Sequence, residues 1–255
     1  MSKIISIIIA TYNSDKTLEK CLRSIIKQKD SSIELIIVDG ESTDHTLEIL
    51  KFYEKSIDVL ISELDEGIYD AWNKGIKAAT GDWLMFVGSD DELRSNCISL
   101  YKQQLVINSD YDYISGRIML ISESGDELRE FGQSYDWNIF RNNMNLAHLS
   151  SLHNRRLYVL YGNYDVSYKI CGDYELLLRP KSALKVKFID ELFANMAVGG
   201  ISFGSFMALS EARKAKLHHK VNKRSIILMQ YCLSVLMLLL NRTLFRKRLF
   251  GAKKK

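Results

Sequence analysis

Short apolar runs alternate with amphipathic segments along the first hundred residues of the chain. The apolar runs are rich in isoleucine, valine and leucine, and they predict strands that are buried on both faces. They cover residues 4–10, 34–38, 58–62 and 83–87. The segments between them have helical periodicity and cover residues 15–28, 44–55 and 69–79. This βαβαβαβ order predicts an α/β fold with a parallel sheet and right-handed crossovers.

The rest of the chain is less regular. Residues 113–121 and 127–131 predict two antiparallel strands joined across a Ser-Gly-Asp turn. Helical patterns return at residues 173–179 and again from about residue 205. The last helical region contains an apolar run of about 15 residues at 226–240, with basic residues on both sides.

Polar residues follow three of the predicted strands at the point where each strand ends. They are Thr11, Tyr12 and Asn13 after the first strand, Asp39 after the second, and Asp90 and Asp91 after the fourth. Ligands of parallel sheets bind outside the carboxyl ends of the strands. We therefore expect these side chains to converge on one ligand site.

The adjacent acids Asp90 and Asp91 allow two interpretations. Asp91 could cap a helix that begins at Glu92, since carboxylates favour helix N-termini. Alternatively, the pair could hold Mg²⁺ or Mn²⁺, which take carboxylate oxygens and bridge to substrate phosphates. Such a cation would also relieve the repulsion between the two adjacent charges. Their spacing leaves both interpretations open.

The 255-residue chain has a net charge of +4 that is distributed unevenly. Residues 212–255 contain 13 Lys and Arg and no acid, which leaves 22 basic and 31 acidic side chains in the remainder. Such a basic segment can attract nucleic acid or an anionic membrane surface. Nucleic acid is not expected as a partner, because no recognition motif or interleaved aromatic pattern accompanies the charge.

Cysteine usage and the N-terminus indicate a cytoplasmic protein. The four cysteines are far apart and form no CxxC pair, so neither a zinc site nor a disulfide framework is expected. The apolar N-terminal run is short and is followed by no small-residue cleavage site, which favours a first strand over a signal peptide. We expect reduced thiols and one large domain, or one domain with an appendage.

Five motifs occur in the order and approximate spacing of the family 2 glycosyltransferases. They are TYN, VDGESTDHT, SELDEGIYDAWNKGI, TGDWLMFVGSDD and GDYELLLR. Over roughly residues 3–205, the chain resembles the branch that builds bacterial surface polysaccharides such as colanic acid and O-antigen. The resemblance implies a GT-A fold, a Rossmann-like and mostly parallel sheet flanked by helices, here with a basic helical C-terminal extension.

The resemblance also implies an activity and a division of the chain. The activity is an inverting transfer of one sugar from a nucleotide diphosphate sugar, with UDP as the expected nucleotide, to a polyprenyl-diphosphate-linked saccharide. Residues 1–205 would form the GT-A domain, with a nucleotide-sugar-binding half at 1–110 and an acceptor-binding half at 111–205, followed by a tail at 206–255. Neither a QxxRW motif nor paired long apolar spans are present. Their absence favours a non-processive enzyme over a polymer synthase.

Roles for individual residues follow from the same resemblance. Asp173 matches the catalytic base, and Asp91 matches the acid that binds Mn²⁺ or Mg²⁺, with Asp90 nearer the ribose or also on the metal. The remaining residues expected around the nucleotide sugar are Thr11, Tyr12, Asn13, Asp39 (near the base), Asp70, Asn73 and Lys74. These roles agree with the chemistry of sugar transfer, because a carboxylate can take the proton of a sugar hydroxyl and a cation can stabilise a leaving diphosphate.

Two histidines lie between the acid pair and Asp173 in the sequence. His148 resembles a histidine of this branch, and it could contact donor phosphate or the metal ion. A hydrogen-bonded structural histidine is an equally open interpretation. His153 is expected to be structural or exposed.

The apolar run at 226–240 is shorter than the roughly 20 residues that span a bilayer as a helix. One interpretation is a buried helix that covers the domain. The basic residues on both sides favour instead a helix lying on an anionic membrane surface. Since the implied acceptor is lipid-linked, we expect a peripheral protein on the cytoplasmic face of the inner membrane.

A second class of function is a non-catalytic relative that binds a sugar nucleotide or a partner protein. Such a protein would have no need of both a metal-binding acid and a catalytic base. Because the chain has both the Asp90–Asp91 pair and Asp173, we favour an active enzyme.

Overall fold

The computed structural model describes residues 4–107, 110–122, 124–198 and 205–251, with side chains described as far as residue 240 except that of Ile107. The predicted alternation of strands and helices is present in the first hundred residues. Its elements are β1 (Ile5–Thr11), α1 (Leu18–Ile26), β2 (Ile33–Asp39), α2 (Thr46–Phe52), β3 (Val59–Ser62), α3 (Ile68–Ala78) and β4 (Trp83–Gly88). A short strand β5 (Glu92–Leu93) and a helix α4 (Cys97–Ile107) follow.

The second part of the chain combines short strands with helices. Its elements are β6 (Tyr113–Ile121), β7 (Glu127–Phe131), α5 (Trp137–Phe140), β8 (Leu152–Asn154), α6 (Arg156–Tyr161), α7 (Gly172–Leu178), β9 (Val186–Ala197), α8 (Phe206–His218) and α9 (Arg224–Gly251). β6 and β7 form the predicted antiparallel pair. The helices predicted near residue 173 and beyond residue 205 are also present.

The described strands form one nine-stranded sheet in the order β3-β2-β1-β4-β8-β6-β9-β5, with β7 paired to β6. The four strands β3, β2, β1 and β4 are parallel, and β8 joins β4 in the antiparallel direction. Thr11 pairs with Asp39, and Ala10 pairs with Gly88. The carboxyl ends of β1, β2 and β4 therefore meet at one side of the sheet, called the carboxyl edge below. The prediction of a mostly parallel α/β sheet is confirmed.

β3 departs from the expected burial on both faces. Leu60 is 47% exposed, and burial alternates along the strand. Because β3 is the end strand of the sheet and pairs only with β2, one side of it has no neighbouring strand. The expectation of full burial is wrong for β3, whereas β1 and β2 are buried almost throughout.

Helices cover both faces of the sheet. Successive side chains of a strand point to opposite faces, so Ile7 of β1 packs in the core with α1 and α4, while Ile8 packs in the core with α3, α6 and α7. In the second core, a Cβ on Gly75 of α3 would lie 2.4 Å from the Ile8 side chain. This close approach of α3 to the sheet positions its first turn beside the carboxyl edge.

α8 packs against α7, and α9 packs against α8. Ile227 of α9 is fully buried, but most of the apolar side chains that follow it are exposed. The outward face of α9 is defined here by Leu228, Met229, Leu233, Leu236 and Met237, which are 38% to 65% exposed. The interpretation of residues 226–240 as a buried covering helix is therefore wrong for this face. No helix within the described residues has the length and apolarity needed to cross a bilayer.

Candidate functional site

Asp39 lies at the carboxyl edge and organises the loops around it. Its side chain is fully buried. It accepts hydrogen bonds from Ser42 Oγ at 2.5 Å, from the Ser42 N–H at 3.1 Å and from Ser62 Oγ at 2.8 Å. Ser42 Oγ accepts in turn from the Asn13 N–H at 2.8 Å. A carboxylate has about four acceptor positions, so this network uses most of the acceptor capacity of Asp39 and fixes the surrounding loops.

The loop after β1 places Thr11, Tyr12 and Asn13 at the same edge. Thr11 is buried, and its Oγ1 has no hydrogen-bond partner among the described residues. Asn13 has a φ of 48°, and its Oδ1 accepts from the Thr43 N–H at 2.9 Å. Tyr12 is 63% exposed and lies beside Gly40, where an added Cβ would be 3.4 Å from its ring. An exposed aromatic ring in this position can stack on a planar base.

The Asp65 side chain also reaches the carboxyl edge, beside Gly40, although sequence reasoning did not single it out. Its Oδ1 accepts from the Gly67 N–H at 2.8 Å. Its Oδ2 would lie 2.5 Å from a Cβ on Gly40, so the glycine permits this approach. The motif that contains Asp65 is visible in the sequence, but nothing in its pattern indicates which of its acids turns toward the carboxyl edge.

Asp70 and Lys74 hold the loop at 62–67 onto α3. Lys74 Nζ donates to the Leu64 carbonyl at 2.5 Å and lies 3.1 Å from a Glu63 oxygen and 3.4 Å from an Asp70 oxygen. Asp70 Oδ2 also accepts from the Glu66 N–H at 3.1 Å. Both side chains act on the position of the loop.

Asn73 joins α3 to the segment that contains Tyr164. Its Nδ2 donates to the Tyr164 carbonyl at 2.9 Å, and its Oδ1 accepts from the Tyr164 N–H at 3.0 Å. The side-chain amide is thus occupied by a backbone partner 91 residues away in the sequence. The Asn73 amide therefore fixes the position of α3 relative to this segment.

The acid pair lies in the turn after β4. Asp91 Oδ2 accepts from the Gly88 N–H at 3.2 Å, and Asp91 Oδ1 accepts from the Ala197 N–H at 3.3 Å. A Cβ on Gly88 would lie 2.6 Å from an Asp91 oxygen and 2.9 Å from an Asp90 oxygen, so glycine allows both carboxylates to approach this turn. Because Glu92–Leu93 form a strand that pairs with β9, the interpretation of Asp91 as a helix cap is wrong.

The surroundings of Asp91 fit a divalent cation. Burial, and to a lesser extent the charge of Asp90, raise the pKa of Asp91 well above its ordinary value, so a cation beside it would favour the ionised form. Among the described residues, no group of three or more His, Cys, Asp or Glu could hold a metal ion. One or two carboxylates completed by water and substrate phosphates are, however, the usual ligands of Mg²⁺. Ser14 and Ser89, with hydroxyls 2.8 Å apart, connect this turn to the loop after β1.

Asp173 lies in the first turn of α7, with one of its carboxylate oxygens held in place. Oδ1 accepts from the Tyr174 N–H at 2.8 Å and lies 3.4 Å from Tyr69 Oη. The Tyr69 hydroxyl donates to the Ile170 carbonyl at 2.6 Å, and its ring would lie 2.8 Å from a Cβ on Gly172. Oδ2 has no hydrogen-bond partner among the described residues, so it is available to a hydroxyl of a bound ligand.

His148 packs in an aromatic cluster that lies between β4 and α3. Its ring stacks on Trp72 with the centroids 4.9 Å apart, and its Nε2 lies 3.0 Å from Tyr164 Oη. Burial lowers the pKa of His148, and the charge of Asp173 partly opposes this effect. These contacts favour a neutral, structural imidazole, whereas contact with phosphate or metal stays a prediction. His153 is fully buried, in agreement with the structural alternative.

Glu211 of α8 contacts the segment that leads to Asp173, and sequence reasoning did not single it out. Its carboxylate accepts hydrogen bonds from the N–H groups of Lys169, Ile170 and Cys171 at 2.8, 2.8 and 2.9 Å. α8 thereby fixes the segment that enters α7 and sets the position of Asp173. In the sequence, Glu211 is one of several charged residues of a predicted helix, and only its tertiary contacts reveal this role.

A cavity of about 400 Å³ lies between α7, α8, α9 and the segment at 142–144. Its volume is in the range of small-ligand sites. The residues that line it include Asp173 and Tyr174 of α7, Leu209, Ala212, Arg213 and Lys216 of α8, and Tyr231 and Ser234 of α9. Asp173 therefore faces a space that the two C-terminal helices help to enclose.

Two curated relatives show the range of similarity. The chain is 30% identical over 204 residues to a PGL/p-HBAD biosynthesis glycosyltransferase of Mycobacterium tuberculosis (strain ATCC 25177 / H37Ra), covering 77% of this chain and 78% of the relative. It is 27% identical over 122 residues to WfgD of Escherichia coli, covering 48% of each chain. WfgD is named a UDP-Glc:alpha-D-GlcNAc-diphosphoundecaprenol beta-1,3-glucosyltransferase.

Solved structures share the fold at low sequence identity. S. aureus TarS, in complex with UDP-GlcNAc, superposes with a TM-score of 0.70 at 17% identity, covering 91% of this chain and 71% of TarS. The mannosyltransferase PcManGT of Pyrobaculum calidifontis, in complex with GDP-Man and Mn²⁺, superposes with a TM-score of 0.64 at 14% identity, covering 100% of this chain and 82% of that protein. These similarities confirm the GT-A fold. The family model described as Glycosyl transferase family 2 matches residues 6–158, more than half of the sequence, and the chain therefore belongs to that family.

Proposed function

We propose that this protein transfers one sugar from a nucleotide diphosphate sugar, with UDP as the nucleotide, to a hydroxyl of a lipid-linked saccharide. The transfer inverts the anomeric configuration and depends on Mn²⁺ or Mg²⁺. The observation that carries the proposal is the position of Asp173, which lines the cavity of about 400 Å³. Membership of glycosyl transferase family 2 supplies the class of reaction.

In the proposed reaction, Asp173 takes the proton of the acceptor hydroxyl while the hydroxyl oxygen attacks the anomeric carbon. The bond between that carbon and the diphosphate oxygen breaks, and its electron pair leaves with the nucleoside diphosphate. Attack from the face opposite the leaving group gives inversion and requires no covalent enzyme intermediate. The contacts of Asp173 Oδ1 with Tyr174 and Tyr69 restrict the orientation of the carboxylate before the acceptor binds.

The cation would be held by Asp91, with Asp90 as a second ligand or as a contact to the ribose. When bound, the cation supplies positive charge that stabilises the leaving diphosphate. Its charge would also offset the burial that disfavours ionised Asp91. His148 would be a further contact of the cation or of the donor phosphate.

The nucleoside would bind at the carboxyl edge of the sheet. Its pocket would consist of Thr11, Tyr12, Asn13 and Asp39, with Asp70, Asn73 and Lys74 positioning the loops around it. Tyr12 would stack on the base. Asp39 would lie near the base and hold Ser42, which in turn holds Asn13. The name of WfgD includes UDP-Glc, and this supports UDP as the nucleotide.

The acceptor would bind on the side of residues 111–205, and residues 206–255 would attach the protein to the cytoplasmic face of the inner membrane. A diphosphoundecaprenol acceptor in the name of WfgD supports a lipid-linked substrate. The exposed outward face of α9 and the basic residues on both sides of it support the attachment.

A donor panel tests the proposal directly. We expect one or a few UDP-sugars to raise the Tm when Mn²⁺ is present, and GDP- and dTDP-sugars to have little effect. Asp173→Asn should lower transfer to a GlcNAc-diphosphate-lipid acceptor by at least about a thousandfold, while the donor-induced shift in Tm is retained. An Asp173→Asn variant with full transfer activity would remove Asp173 as the base.

The non-catalytic alternative makes a different prediction in the same experiment. A protein that only binds a sugar nucleotide would show the donor-induced shift in Tm without sugar transfer to any acceptor in the panel. The presence of Asp173 in the cavity, with an unoccupied carboxylate oxygen, favours the enzyme.

A further inference from the structure

The cavity that Asp173 lines also contains two cationic side chains from α8. Lys216 is only 7% exposed, and its Nζ has two neutral partners, the Asn142 carbonyl at 3.1 Å and Gln230 Oε1 at 3.4 Å. Among the described residues, no carboxylate lies within ion-pair distance of Lys216. Burial lowers the pKa of this amine, as expected for a cation without a counter-ion.

Arg213 is the second cation of the cavity. Its guanidinium lies 4.4 Å from the centroid of the Tyr231 ring, and its Nε is buried without a hydrogen-bond partner in the described part of the chain. Buried cations are normally paired, because desolvating an unpaired charge is costly. Lys216 is buried and Arg213 is half-buried, and within the described residues neither is paired with a carboxylate. The two cations of this cavity are therefore placed to bind an anion from outside the chain.

The remaining lining of the cavity is mostly apolar. Its apolar members include Met144, Ile170, Leu209 and Ala212. A ligand that matches the whole cavity combines an anionic group with an apolar group. The outward face of α9 belongs to the same helix that contributes Tyr231 to the lining.

The positions of these cations along α8 leave room for a sugar beside Asp173. The Ala208 carbonyl accepts from Cys171 Sγ, two residues before Asp173. Arg213 and Lys216 follow Ala208 by five and eight residues, which corresponds to roughly 8 and 12 Å along a helix. An acceptor could thus present its hydroxyl to Asp173 and its anion to the two cations.

We propose that Lys216 and Arg213 form a binding site for the phosphate or diphosphate of a lipid-linked acceptor, with the first apolar units of the lipid packed against α8 and α9. The proposal rests on the proposed function for the identity of the acceptor. It assigns the C-terminal helices a part in substrate recognition in addition to membrane attachment. The matching chemistry is a phosphate ester joined to an isoprenoid chain.

Calorimetric titration of the full chain with farnesyl diphosphate tests the site without donor or metal. We expect binding, with Lys216→Met weakening it at least tenfold and Arg213→Met weakening it in the same direction. Methionine keeps the length and apolar character of the lysine chain, so the variant should fold, and its Tm verifies this. Lys214→Met is the matched control, because Lys214 is exposed on the same helix, and its affinity should stay within twofold.

Two further ligands measure separately how much the anionic group and the apolar chain of farnesyl diphosphate contribute to its affinity. Inorganic pyrophosphate should bind more weakly than farnesyl diphosphate, and farnesol should bind more weakly than both. If pyrophosphate binds as tightly as farnesyl diphosphate, the site is one for free phosphates and the lipid part is wrong. Equal affinity for farnesol and farnesyl diphosphate, or unchanged affinity in Lys216→Met, would overturn the anion site. Asp173→Asn should bind farnesyl diphosphate normally, so failure of the catalytic proposal is recognised separately.

Discussion

The surroundings of Asp91 disfavour its ionised form. The folded protein binds a proton at Asp91 more tightly than the unfolded chain does, because burial and the charge of Asp90 raise its pKa. The contribution of the protonated acid to stability is present at low pH and is lost as the pH rises through the raised pKa. At neutral pH and without a cation, the carboxylate therefore lowers the free energy of unfolding.

Asp91→Asn should remove this destabilisation and should abolish the rise in Tm that Mn²⁺ and donor cause. We expect a higher Tm than that of the wild-type protein at pH 7 in EDTA, a difference that shrinks as the pH is lowered. Mn²⁺ with donor should raise the Tm of the wild-type protein but not that of the variant. Differential scanning fluorimetry from pH 4 to 8 measures both effects.

Asp82→Asn provides the control for this experiment. Asp82 is an exposed acid before β4, at the opposite end of that strand. Its replacement should change the Tm little and should leave the metal response intact. An Asp91→Asn protein that is stabilised by Mn²⁺ and donor as strongly as the wild type would rule out Asp91 as a metal ligand.

At the scale of residues, local sequence predicted where polar groups lie but not what they contact. The carboxyl-edge positions of Asp39 and Asp91 follow from strand order, which the apolar pattern predicts well. The bond of Asn73 to the Tyr164 backbone connects positions 91 residues apart, and no local pattern encodes such a pair. Asp65 and Glu211 were missed for the same reason.

At the scale of elements, α7 depends on α8 for its placement. The Glu211 carboxylate satisfies N–H groups at the entrance of α7 that the helix itself leaves without partners.

Strand β5 also depends on a contact that is distant in the sequence. It has only two residues, and its partner in β9 lies about a hundred positions away, so the sequence suggested a helix there instead.

Glu211→Ala should weaken both the fold and the activity. Loss of charge-assisted bonds to three N–H groups should cost about 2–3 kcal/mol in the free energy of unfolding. At a temperature where the variant is folded, kcat should fall more than tenfold with little change in the KM for the donor, because Asp173 is displaced. Urea unfolding and initial-rate kinetics provide the two measurements.

Glu54→Ala separates this effect from a general loss of acidic charge. Glu54 is exposed, and its replacement should change stability by no more than about 0.5 kcal/mol. If Glu211→Ala behaves like Glu54→Ala in both measurements, α8 does not position α7 in the way that its hydrogen bonds suggest.

At the scale of the whole molecule, charge and apolar surface coincide at one end of the chain. The 13 basic residues of the segment 212–255 flank an outward face of α9 that is apolar and exposed. A soluble monomer rarely exposes a continuous apolar patch without a binding role. An anionic membrane satisfies both properties, since it accepts apolar side chains at its boundary and attracts cations at its surface.

The triple variant Leu233→Gln, Leu236→Gln, Met237→Gln should therefore bind vesicles less well. These side chains are 53%, 52% and 65% exposed and follow each other at helical spacing. Losing about 1 kcal/mol of burial for each should lower the partition coefficient on the order of a hundredfold. Co-sedimentation with phosphatidylglycerol vesicles measures the coefficient, and added salt should weaken the binding of the wild-type protein further.

Three exposed apolar residues elsewhere supply the control for the vesicle experiment. Phe52, Val106 and Val159 are 79%, 88% and 78% exposed and lie outside α9. Their joint replacement by glutamine should leave vesicle binding unchanged if the outward face of α9 is the surface that inserts.

The outward face of α9 could instead be an interface between two copies of the chain. In that case the wild-type protein would be a dimer, the α9 variant would dissociate it, and neither protein would bind vesicles. Either result identifies what covers α9 next to the cavity, because Tyr231 of the same helix lines that cavity.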